Sequence, residues 1–196
     1  MSRAIKCYLI RHGATKGNQE GRYVGKTDEP VLESELERLR MLGKSLLPVD
    51  HIYVSPYLRC RQSAEALFSG LGCSTEIISD FREMDFGEFE YHNYQELNGD
   101  PNYQVFIDSG GTTAFPGGEE PGEFKERCCR AFLTCVSQAD EYGWQRLLFV
   151  VHGGTIMAIM EAFAVPQRSY FDFQVENGCG YEASIGKIRC LEWRKL

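Results

Sequence analysis

No apolar run in this 196-residue chain is long enough to cross a bilayer, which takes about 20 consecutive apolar residues. The N-terminal residues show no basic region leading into an apolar stretch and a small-residue cleavage site. Positive charge is not in excess. The formal net charge is −7, which argues against nucleic acid or an anionic membrane as a general partner. An anionic substrate would need basic residues concentrated at one place. The eight cysteines include no Cys-x-x-Cys pair, and no Cys/His cluster has zinc-ligand spacing. Neither a metal nor another cofactor is therefore expected, and the composition reads as a cytoplasmic protein with reduced thiols. Internal repeats and low-complexity tracts are missing too. The length suits a single domain, residues 1–196, with one substantial core. Nothing in the pattern indicates the oligomeric state.

What is present is an alternation of strand, loop and helix. Residues 4–10 read as a short buried strand. Thr15 to Pro30 is a polar, Gly-rich loop with room for one helical turn. Ser34 and Glu37 predict a capping box for a helix that carries Leu36, Leu39, Leu42 and Leu46 on one face and stops at Pro48. His51–Val54 is a second strand. Ser55 and Pro56 then predict the N-cap and first position of a helix running to about Phe68. A third strand is expected over 74–79. Residues 86–121 read as an irregular cap insertion with short helical turns near Tyr94 and Tyr103. Pro121 opens a long helix that buries Phe124, Cys128, Phe132, Cys135 and Ala139 and ends at Gly143. Residues 146–151 form the strongest strand, followed by a helix to about Ala164. A terminal hairpin is expected over 179–185 and 188–193, turning at Gly186-Lys187. This order predicts an α/β fold: a three-layer, doubly wound, mostly parallel sheet with helices on both faces. Ligands on such sheets bind beyond the carboxyl ends of the strands, where His12, Ser55 and His152 are placed.

Two strands each end in a histidine followed by glycine. Cys7-Tyr8-Leu9-Ile10 leads into Arg11-His12-Gly13, and Leu147–Val151 into His152-Gly153-Gly154. Together with Arg59 near the start of its helix, they suggest two arginines and two imidazoles around one tetrahedral anion. Phosphate fits best, because arginine forks match its oxygens. A neutral imidazole there can attack phosphorus while its other nitrogen donates to a backbone carbonyl. The second imidazole can stabilise the transferring phosphoryl group. The leaving alkoxide needs a proton, and Glu83 is the best-placed carboxylic acid. Splitting the reaction into phosphorylation of histidine and its hydrolysis requires no metal.

The segments Leu9–Asn18, Ser55–Ala64, Arg82–Glu90 and Val151–Thr155 resemble, in order, four motifs of the histidine phosphatase superfamily, the phosphoglycerate mutase-like proteins. The resemblance implies phosphorylation of His12, a phosphate clamp of Arg11, Arg59 and His152, and Glu83 as general acid. It also implies that Asn18 and the Gly153 backbone face the phosphate and that Gly25 belongs to a substrate-side loop. One departure stands out: Tyr91 occupies a place where family members commonly have glycine, which bears on the path of the chain after Glu90. From Glu83 to Phe124 there is no lysine or arginine. A mutase or bisphosphatase must hold a second anion, and desolvating one without a cation is costly. Hydrolysis of a small-molecule phosphomonoester is therefore expected. The alternatives are a phosphoglycerate mutase-type phosphotransferase and an inactive module that binds phospho-ligands. The same stretch is rich in aromatic residues that either pack the cap or stack on a flat organic group. In this respect it is similar to the α-ribazole phosphatase branch.

Overall fold

The computed structural model describes residues 4–46, 48–68, 72–186 and 190–196. Among the described residues, seven strands form one sheet: β1 (Ile5–Arg11), β2 (His51–Val54), β3 (Ser74–Ile77), β4 (Arg146–Val151), β5 (Ala164–Val165), β6 (Gly180–Ile185) and β7 (Leu191–Lys195). Their order is β3-β2-β4-β1-β6-β7-β5. β6 lies antiparallel to β1 and β7, and every other pairing is parallel. The mostly parallel α/β sheet expected from the sequence is thus present. The β6–β7 hairpin is present as well. Its predicted turn at Lys187 and the residues 188–189 lie outside the described residues.

Alternation along the strands divides the core into two layers, because successive side chains point to opposite faces. Cys7, Leu9, Tyr53, Leu147 and Phe149 pack on one side against the helices α5 (Pro121–Tyr142) and α6 (Gly153–Phe163). Tyr8, Ile10, Ile52, Val54, Leu148 and Val150 pack on the other, against α2 (Glu33–Leu46) and α3 (Leu58–Phe68). Both faces of β1 and β4 are covered, so these strands read as unbroken apolar runs. The predicted apolar face of α5 is buried at all five positions, and Gly143 closes the helix in the left-handed conformation, φ 76°.

Two predicted caps are not formed. α2 begins at Glu33, so Ser34 sits in its first turn and not at its cap. α3 begins at Leu58, past Ser55-Pro56, and its first amide donates to Asp28 Oδ1 at 2.6 Å. A side chain from a distant loop therefore takes the cap role expected of Ser55. The 86–121 segment holds more helix than expected: α4 (Pro101–Asp108) is capped by Asp100, with Pro101 in the first turn. Only α1 (Lys16–Gln19) interrupts the long loop after β1. Phe89, Leu97 and Phe115 form a separate small core within this segment. No helix among the described residues is long and apolar enough to cross a membrane.

Candidate active site

β1, β2 and β4 run the same way, and their paired registers end together, Arg11 opposite Val151 and Val54 opposite Val150. The residues that follow are therefore delivered to one edge of the sheet. His12 and His152 meet there with ring centroids 5.2 Å apart, inclined at 67°. Both are buried, at 3% and 0% exposure. His12 Nδ1 lies 2.8 Å from the Gly13 carbonyl oxygen. A carbonyl can only accept, so Nδ1 carries the proton and the lone pair is left on Nε2. Burial first, then the charges of Arg59 and Arg11, holds His12 well below the usual histidine range. The ring is thereby kept neutral, as a nucleophile requires. His152 is lowered in the same direction, again chiefly by burial and by Arg59.

The end of β1 is held from several sides. The Gly13 amide donates to Ser63 Oγ at 2.9 Å. The Gly178 amide donates to the carbonyls of Arg11 and His12, each at 3.0 Å. Asn177 Nδ2 donates to the His12 carbonyl and to Asn18 Oδ1. Because the Asn18 oxygen is occupied, its amide group is the end left to face the pocket.

The two arginines are held differently. Arg11 Nη1 donates to the Val175 carbonyl at 2.8 Å. Arg59 is fully enclosed and donates to three backbone carbonyls, those of Val24, Gly25 and Thr27. The Nε of each arginine is buried with no partner among the described residues. An unpaired buried donor is costly, and two of them beside a neutral imidazole suit a multiply charged oxyanion.

Glu83 completes the site. Its carboxyl oxygens accept from the amides of Met84, at 3.0 Å, and Gly154, at 3.1 Å. Burial nevertheless outweighs these bonds and raises Glu83 above the ordinary carboxylate range. A carboxyl that keeps its proton longer than usual can serve as an acid. Gly154 must be small here, since a Cβ would run into the Glu83 carboxyl.

A cavity of about 550 Å³ opens above these groups, lined by Arg11, His12, Asn18, Glu83 and Gly153 at its floor. Arg59, His152 and Gly25 lie behind that floor. Gly25 acts from there: its carbonyl holds Arg59 and its amide donates to Glu90 Oε1 at 2.9 Å. All eight residues expected at the site thus gather at one edge, five facing the cavity and three behind them. The upper wall is aromatic, formed by Tyr23, Phe86, Phe106, Phe115, Tyr170 and Phe171.

Several residues at the site were not expected in these roles. Ser55, read as a helix cap, places its Oγ 2.6 Å from His152 Nε2. Glu90 accepts from the amides of Gly25 and Thr27, both at 2.9 Å, and so fixes the loop that holds Arg59. Lys125 lines the cavity, paired to Glu161 at 2.7 Å and lying 4.3 Å from the centroid of the Tyr170 ring. Tyr91 takes the glycine-like conformation, φ 65°. It is held by a bond from its hydroxyl to Glu29 and by Arg22 over its ring. The loop after Glu90 therefore adopts a glycine path without a glycine.

The profile of the histidine phosphatase superfamily (branch 1) matches residues 7–192. The adenosylcobalamin/alpha-ribazole phosphatase of Salmonella typhimurium is 27% identical over 181 residues, spanning 89% of this chain and 88% of that protein. A Hydrogenobacter thermophilus protein, provisionally named phosphoserine phosphatase 2, is 30% identical over 79% of this chain and 76% of its own. Among solved structures, the alpha-ribazole phosphatase from Shigella flexneri superposes with a TM-score of 0.86 at 25% identity, covering 98% of this chain and 96% of that one. With the profile spanning nearly the whole sequence and both histidines at one sheet edge, the chain belongs to the histidine phosphatase superfamily, branch 1.

Proposed function

We propose that this site hydrolyses phosphomonoesters in two steps, with His12 as nucleophile. In the first step, His12 Nε2 forms a bond to phosphorus as the ester P–O bond breaks. Arg11, Asn18 and the Gly153 amide face the phosphoryl oxygens, Arg59 and His152 complete the clamp from behind the floor, and Glu83 gives its proton to the departing alkoxide. In the second step, the Glu83 carboxylate takes a proton from water as that water attacks the phosphohistidine. Inorganic phosphate leaves, and His12 and Glu83 return to their starting forms. The observation that carries this reading is the hydrogen bond from His12 Nδ1 to the Gly13 carbonyl. It leaves Nε2 unprotonated beside two arginines and a second imidazole. Preorganised charge of this kind is commonly the largest contribution to phosphoryl transfer.

The substrate is a monophosphate ester with a flat aromatic group, and α-ribazole 5′-phosphate, an intermediate of cobalamin assembly in the cytoplasm, is the leading candidate. Two features support this. The upper wall of the cavity is built of aromatic rings, and relatives named for that activity match nearly the full chain. Within a single domain, the 86–121 segment acts as the cap that supplies half of those rings, Phe86, Phe106 and Phe115. The cations beside the cavity, Arg22 and Lys125 in its lining and Lys26 on the adjoining loop, are already committed. Arg22 is paired with Glu20 and Glu96, Lys26 with Asp85 and Lys125 with Glu161. A second anionic group on the substrate would have to displace one of these partners, which favours hydrolysis over a mutase reaction.

The test is a phosphomonoester panel that includes α-ribazole 5′-phosphate, serine phosphate and 3-phosphoglycerate with bisphosphoglycerate. The expected result is phosphate release, fastest from the aromatic nucleotide, with acid-labile label on the protein. Bisphosphoglycerate-dependent isomerisation faster than phosphate release would replace this reading with the mutase.

A further inference from the structure

Glu83 touches the proposed leaving group only if its loop is held still, and an unusual pair of residues holds it. Arg127, on α5, is almost fully buried. Its Nε and Nη2 fork onto Glu119 at 2.6 and 2.7 Å. The same guanidinium donates to the carbonyls of Asp80 at 2.7 Å, Arg82 at 2.9 Å and Glu83 at 3.2 Å. The Glu119 amide in turn donates to the Asp85 carbonyl at 2.9 Å. The backbone is thus fastened on both sides of Glu83, to a helix that belongs to the main core. Neither Arg127 nor Glu119 lines the cavity, and no hydrogen bond joins either to the Glu83 carboxyl.

A buried ion pair is a poor device for stability, since apolar residues of similar volume commonly do as well or better. The fork provides something they cannot: a rigid planar donor that satisfies three carbonyls of one loop at once. We infer that Arg127 and Glu119 are positioning residues for the general acid, setting where the Glu83 carboxyl meets the leaving oxygen. The inference rests on the reading of Glu83 as that acid.

Leaving-group dependence tests it. p-Nitrophenolate departs without a proton, whereas an alkoxide requires one. The measurement is kcat/KM, which reports the phosphorylation step, for glycerol 2-phosphate and for p-nitrophenyl phosphate. R127K and E119Q should each lower the glycerol ester value about 10- to 100-fold, as misplacement of a catalytic group by about 1 Å can do. The nitrophenyl value should stay within about threefold, which also certifies that the variants are folded. Combining R127K with E83Q should add little to the loss from E83Q alone, because both act on one proton. If E83Q itself leaves the ratio of the two esters unchanged, the acid reading fails. If E83Q shifts the ratio while R127K and E119Q do not, or lower both esters equally, the pair is purely structural and the inference is overturned.

Discussion

Arg59 and Phe171 approach the same cavity, yet one is fully enclosed and the other is 55% exposed. The contrast extends to the regions they represent. The phosphate end is assembled from segments far apart in sequence that the parallel strands bring to one edge, and Arg59 and Glu83 there are each held by two or more backbone partners. The aromatic end is built outside the sheet. It draws on Tyr23, on the 86–121 segment, whose helix α4 buries no residue, and on a short 3₁₀ turn, Tyr170–Phe173. Its order rests on a few ring contacts around Phe115, such as those to Phe106 at 4.1 Å and Phe89 at 5.2 Å. Preorganisation is concentrated at the end proposed to hold the phosphoryl group, and looser packing at the end proposed to meet the organic group. Changes at the first end should therefore alter rate, and changes at the second should alter selectivity.

Breaking the charged end should give the largest effects. His12→Ala is expected to lower turnover on the order of 10⁵-fold, as for other lost nucleophiles, and to abolish acid-labile phosphoprotein in a labelling experiment. Glu83→Gln should reduce kcat/KM for alkyl esters about 10²- to 10³-fold. It should also change the pH profile. Glu83 is raised by burial and works protonated, so activity is lost as pH rises through its raised value. His12 is lowered by burial and by the arginines and works neutral, so activity is lost as pH falls through its lowered value. The wild-type profile should be bell-shaped, and Glu83→Gln should remove only the alkaline limb. Survival of that limb would assign the acid role elsewhere.

At the aromatic end, Phe171→Ala should raise KM for an aromatic nucleotide about 5- to 10-fold, the worth of roughly one ring contact. Glycerol phosphate turnover should not change. An equal effect on both esters would mean that the ring shapes the phosphate end as well. The smallest effect concerns stability. Tyr91→Gly relieves the left-handed backbone but gives up the contacts to Glu29 and Arg22, whereas Tyr91→Ala gives up the contacts and keeps the strain. The alanine variant should be less stable than the glycine variant by about 1 kcal/mol in urea unfolding.

The charged end was also the more legible of the two in the sequence. His12, His152, Arg11 and Glu83 follow strands or lie in motifs whose apolar pattern and glycines mark where the chain turns. What the sequence does not reveal depends on partners that only the fold supplies. The pairing of an N-cap residue with proline predicts a helix start, and Asp100-Pro101 obeys it. At Ser55-Pro56 the rule fails, because the serine hydroxyl lies against His152 Nε2 and α3 starts later on Asp28. The roles of Glu119 and Arg127 were invisible for a similar reason. They are carried by backbone atoms of residues 80–85, which leave no side-chain signature. Lys125 lies one residue past the stretch noted for lacking cations, and only the direction of α5 turns it to the cavity.

Arg59 is gripped by the main-chain oxygens of Val24, Gly25 and Thr27, and every amino acid has such an oxygen. The residue types at 24 and 27 can therefore drift across generations without disturbing the grip, provided the trace of the chain survives. Position 25 has no such latitude, since any side chain there would strike the Met84 carbonyl. Much of this cradle can thus be inherited as shape more than as spelling, which is how distant cousins can keep one chemistry while sharing few letters.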